Sequence, residues 1–158
     1  MTVHPKTMAD LMELVHVIGA EVDDATRLLR LHSLSEYFLE RILLHRLPNG
    51  AVLAEDERFG YYHKVQLAIA FGALKASTIG ALRKLAKIRN RCAHERKPVV
   101  NIQEIVEIGQ IIGPLFTKGM NDFEGDNREF RALAWALFTE LSNQTTALEI
   151  AAERLQVE

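Results

Sequence analysis

Apolar residues return along this chain at intervals of three and four, the period of an amphipathic helix, and nowhere alternate long enough to suggest a sheet. Leu11, Leu14, Val15 and Ile18 predict a first helix or N-terminal extension within residues 1–20. A longer helix is expected over residues 22–47, where Leu28, Leu31, Ser35, Phe38, Leu39 and Ile42 form one stripe with Leu43 and Arg46 near its edge. Pro48-Asn49-Gly50 signals a turn, residues 51–57 read as a loop, and Tyr62, Val65, Leu67, Ala68, Ile69 and Phe71 mark a helix over 58–74. Ser77 or Thr78 can cap the helix after it, which has to stop before Pro98. Asn101 with Glu104 resembles a capping box ahead of Ile102, Ile105, Val106, Ile112 and Phe116, and Gly113-Pro114 kinks or ends that helix. Asp126 and Glu129 repeat the capping pattern before a last helix whose stripe runs over residues 130–155. The expected fold is all-α: a single-domain bundle of five or six helices spanning residues 1–158.

Composition narrows the class. A chain of 158 residues, 48% hydrophobic and 25% charged, can bury a sizeable core as one domain. A net charge of -2 argues against a generally basic nucleic-acid binder but leaves room for a local basic patch. The single cysteine, Cys92, cannot form an intrachain disulfide and reads as a small core residue. No long apolar N-terminal segment or membrane-length run occurs, so a cytoplasmic protein with no membrane partner is expected. The 6 histidines include no pair at convincing ligand spacing, and no Gly-rich phosphate loop appears. Neither a metal nor another cofactor is therefore expected.

The chemistry concentrates in residues 88–98, Ile-Arg-Asn-Arg-Cys-Ala-His-Glu-Arg-Lys-Pro. On a regular helix Arg89 falls among Leu82, Leu85, Ala86 and Cys92, a costly place for a guanidinium unless it is paired or reaches a wet cleft or subunit boundary. Glu36, beside the stripe of the long helix, is the best expected partner, whether to bury Arg89 or to orient it. His94 lies roughly 140° around the same helix with Asn90 on its side, so spacing alone does not bring it to Arg89. A loosened helix end, a reaching arginine, or a site assembled from two copies of the chain would each do so.

These groups suit metal-free cleavage of an RNA phosphodiester. Histidine moves protons near neutrality, arginine binds two phosphate oxygens and stabilises charge growing on them, and Asn90 can bond a phosphate or fix the imidazole. Arg83, Lys84, Lys87, Arg91, Arg96 and Lys97 form a basic surface opposed locally only by Glu95, able to attract an RNA backbone with little sequence selectivity. The plain alternatives are a solvated basic face, a terminal histidine complementing the helix dipole, and a structural Arg89.

Arg89-Asn90-Arg91-Cys92-Ala93-His94 resembles the arginine, four to six residues, histidine motif of the HEPN superfamily. That resemblance implies a metal-independent endoribonuclease, a toxin or defence effector, acting as a homodimer whose motifs face each other across a cleft. Arg89 and His94 would then be the catalytic pair, Asn90 an accessory polar group, and an antitoxin or regulatory protein a further partner. Tyrosine nucleotidylation, the control used in one branch, is in doubt because Arg96 stands two residues after the motif histidine. Residues 31–40, Tyr62-His63-Lys64 and residues 88–94 are also similar to the mannitol-operon repressor branch. That likeness implies instead a non-catalytic regulator acting through protein partners.

Overall fold

Every regular element in the structure, a computed structural model describing residues 5–19 and 21–155, is a helix. Among the described residues there are eight: α1 (Pro5–Gly19), α2 (Asp24–Arg46), α3 (Gly50–Ala54), α4 (Tyr61–Ala70), α5 (Ala76–His94), α6 (Ile102–Ile112), α7 (Pro114–Asp122) and α8 (Arg128–Leu155). The all-α expectation holds, whereas the expected count of five or six is too low for two local reasons. The stretch read as a loop after Gly50 closes one helical turn, α3. At Gly113 (φ 92°) the backbone turns left-handed and Pro114 restarts it at the first position of α7. None of these helices is long and apolar enough to cross a membrane.

Side chains set the boundaries. Asp23 caps α2, accepting from Thr26 N–H at 2.8 Å and from its hydroxyl at 3.0 Å. The box expected at α6 is present: Gln103 N–H donates to Asn101 Oδ1 at 3.0 Å, and Asn101 N–H donates to Glu104 Oε2 at 3.0 Å. Two other expected caps are displaced. α5 opens after Lys75, whose N–H is taken by Gln144 Oε1 at 2.9 Å, so neither Ser77 nor Thr78 caps it. At α8 the first carbonyl to accept is that of Asn127, at φ 57°, rather than a group of Asp126.

The core forms where α2 and α8 lie together and α5 and α6 close over them. Phe38, Leu39 and Ile42 of α2, Leu82 and Leu85 of α5, Ile108 of α6 and Leu133, Leu137 and Leu141 of α8 are sealed in one cluster, which also takes Cys92. α7 packs tightly on α6, where any side chain at Gly109 would collide with the Phe116 ring. At the far end α1 is joined to α2 and α8 through charge. Arg41, only 7% exposed, donates Nε and one terminal nitrogen to Glu149 at 2.9 and 2.8 Å and the other to Asp10 at 2.6 Å.

Candidate functional site

α5 carries Thr78, Ala81, Leu82, Leu85, Ile88 and Cys92 on its buried face. Arg89 shares the direction of that face, yet it is half-buried rather than sealed. What stands beside it is not a packed helix but an opening bounded by α2, α4 and α5 itself. A cleft of about 720 Å³ lies there. His32 and Glu36 of α2, Tyr61, Tyr62 and His63 of α4, and Arg83, Lys87, Arg89 and Asn90 of α5 line it. Arg58, on the loop before α4, also reaches its edge but is paired with Asp56 at 3.0 Å.

The carboxylate expected to neutralise Arg89 is engaged elsewhere. Glu36 Oε1 accepts from Lys64 Nζ at 2.7 Å, and Glu40 takes the same ammonium at 2.7 Å. Lys64 is buried, which works against its charge, but the two carboxylates win and hold it above the ordinary lysine range. Glu36 and Glu40 sit one turn apart on α2, a like-charge pair that itself signals a cation from another element. Arg89 is left with one hydrogen bond, from a terminal nitrogen to Asn90 Oδ1 at 3.2 Å. Its Nε is buried without a hydrogen-bond partner among the described residues. A wet cleft, one of the conditions under which such an arginine is tolerable, is what surrounds it.

Beside Arg89 is a histidine of α2 that the sequence pattern does not single out. His32 is 6% exposed, stacks on Tyr61 with ring centroids 4.0 Å apart, and lines the cleft. Burial and the nearby Arg89 charge push its pKa down from 6.5 to about 4, outweighing the opposing pull of Glu36. At neutral pH it is therefore an uncharged imidazole, with one N–H donor and one acceptor nitrogen. Tyr61 is fixed in turn, its hydroxyl 2.8 Å from Ser35 Oγ, and burial raises the pKa of that hydroxyl. The available signal was Ser35, a polar residue in the apolar stripe one turn from His32.

The basic residues divide by partner. Arg91 is clamped by Glu104 at 2.8 and 2.9 Å, and Lys84 is bonded to Glu107, so both charges are answered by α6. Arg83 and Lys87 are exposed and have no ion pair among the described residues. Arg96 and Lys97 lie on the exposed segment after α5.

His94, the last residue of α5, is exposed and does not line the cleft. Its neighbours by direction are Arg83, Lys87 and Asn90, all exposed and within about 60° of arc on an ideal helix. The site residues thus form two connected sets: Arg89 in the cleft, and a solvent-facing stripe ending in His94, with Arg83, Lys87 and Asn90 belonging to both. Within one chain this arrangement can hold a phosphate at Arg89 and present an imidazole along the same helix. Among the described residues no three His, Cys, Asp or Glu side chains converge as a metal centre requires. No family model matches the chain, and no curated protein or solved structure matches it.

Proposed function

We propose that the protein is a metal-independent endoribonuclease of HEPN type, a cytoplasmic toxin or defence effector acting as a homodimer. The observation that carries this reading is the half-buried Arg89, with an unpartnered Nε, on the wall of an open cleft beside the unpaired Arg83 and Lys87. A guanidinium so placed favours an anionic guest. In the dimer the exposed stripes of two α5 helices face one another, so that two copies of His94 flank one RNA strand. One imidazole takes the proton of the 2′-hydroxyl as its oxygen attacks phosphorus. The other protonates the departing 5′-oxygen, while Arg89 stabilises the charge on the phosphoryl oxygens. The products are a 2′,3′-cyclic phosphate and a 5′-hydroxyl. Arg96 and Lys97 extend the basic surface, to which Arg91 and Lys84 add less because Glu104 and Glu107 answer them, and Glu36, through Lys64, fixes the wall opposite Arg89.

The test is purified protein mixed with total RNA in chelator. Cleavage lost in both His94→Ala and Arg89→Ala, with 5′-hydroxyl ends open to kinase labelling, is the expected result. Intact RNA at high concentration of folded wild type would defeat it.

One observation favours a second reading, a non-catalytic regulator resembling the mannitol-operon repressor branch. Within one chain His94 is exposed and outside the cleft. This reading expects a stable protein partner on purification and no RNase activity.

A further inference from the structure

The cleft has more recognition chemistry than a phosphate alone would use. Arg89 Nε is buried beside it without a hydrogen-bond partner among the described residues, and the ring of His32, at a residue only 6% exposed, lines it. One is a permanent cation and the other a neutral donor–acceptor pair. At the mouth stands an exposed aromatic wall, Tyr62 and His63, with ring centroids 5.7 Å apart. The volume of about 720 Å³ fits a ligand much larger than an inorganic ion. A phosphate would satisfy Arg89, Arg83 and Lys87 and leave the imidazole and the aromatic wall unused.

We infer that this cleft is a nucleotide subsite. Arg89, with Arg83 and Lys87, takes the phosphate; Tyr62 stacks on an unpaired base; and His32 hydrogen-bonds the base edge or sugar hydroxyl. Stacking tolerates any base because each has a π-face, whereas a neutral imidazole selects for a group that both gives and accepts. The base must be unpaired, since a duplex hides its faces. The subsite rests on the nuclease reading only in sharing Arg89: it concerns binding, and holds whether or not His94 supports cleavage.

Two 2-aminopurine probes separate the sources of such a unit. A 2′-deoxy tetranucleotide, which cannot undergo 2′-hydroxyl attack, stands for a strand, and 2-aminopurine riboside 5′-monophosphate stands for a free nucleotide. Quenching of the base on titration with the full chain is expected for at least one of them. The tighter of the two identifies a strand or a free nucleotide as the guest. Tyr62→Ala, at a side chain 67% exposed and so harmless to folding, should weaken that binding about tenfold. His32→Gln should weaken it by a similar factor, read beside a thermal melt because the position is buried.

Unchanged fluorescence with both probes at millimolar concentration would overturn the subsite. So would binding indifferent to Tyr62→Ala and displaced equally well by inorganic phosphate. Failure of the nuclease reading looks different: intact RNA in the cleavage assay, with quenching in these titrations preserved.

Discussion

Arg41 and Arg89 both sit where water reaches poorly, and they are treated in opposite ways. Arg41 joins α1, α2 and α8, meets Asp10 and both oxygens of Glu149, and lies within 5.4 Å of the Tyr37 and Phe38 ring centres. Arg89 has one bond to an amide oxygen and a buried Nε with no partner among the described residues. A buried charge has to be answered by something. For Arg41 the answer is supplied by the chain, which uses the residue as a fastener. For Arg89 the described residues supply one amide oxygen and no carboxylate, and the side chain lines an open cleft where a guest can supply the rest. The second arginine is therefore the one to expect at the chemistry, although both look alike as cations among apolar residues.

Removing each side chain gives the widest separation. Arg41→Ala takes the guanidinium away from two buried carboxylates, Asp10 and Glu149, and should cost about 3–5 kcal/mol in urea unfolding. Arg89→Ala breaks no ion pair and should change stability by about 1 kcal/mol or less. RNA cleavage should fall about 100-fold or more in the same variant. If the two variants melted alike, the contrast between fastener and reserved group would collapse.

Acid separates the regions next. The His32 pKa is about 4 in the folded chain against 6.5 for an ordinary histidine, so between those values the unfolded chain binds the extra proton. Its contribution is fully present above pH 6.5 and fades as pH falls towards 4, a loss on the order of 3 kcal/mol. His32→Gln should flatten this part of the stability–pH curve. Arg89→Gln should flatten it partly, because the guanidinium charge is the second cause of the shift after burial. Unfolding by urea at intervals between pH 7.5 and 4 reads both effects.

Binding by salt titration is a finer cut through the same cations. Neutralising Arg83 or Lys87, which are unpaired, should each reduce the slope of RNA affinity against salt by about 1. Lys84→Ala should move it less, because Glu107 already answers that ammonium.

Much of the contrast could be read in part from sequence. Apolar spacing located α2, α5, α6 and α8, the Asn101–Glu104 box fixed one boundary, and the helical period marked Arg89 as anomalous. The period gives a direction, however, and not what stands in that direction. Arg89 points along the core face but borders the opening bounded by α2, α4 and α5, so it is half-buried rather than sealed. Partner choice was equally hidden. Glu36 could be assigned to Arg89 because nothing local shows that Lys64, on another helix, lies closer. Arg41 escaped notice altogether, since its partners stand 31 and 108 residues away and only the packed fold brings them together. His32 and Tyr61 become a pair for the same reason.

The smallest expected effect concerns Arg91, which follows Arg89 by two positions and shares its charge but not its situation. Both oxygens of Glu104 hold Arg91, and one of them also accepts from Asn101 N–H, so the arginine is tied into the cap of α6. Asn101→Ala removes the reciprocal half of that cap and should cost about 1 kcal/mol. For a chain of this size that corresponds to roughly 2–4 °C in melting temperature. Cleavage and nucleotide binding should stay at wild-type levels, because the cap lies outside the cleft. Equal losses of melting temperature and of RNA affinity in this variant would mean that α6 holds α5 in register for the site, and that Arg91 belongs functionally with Arg89.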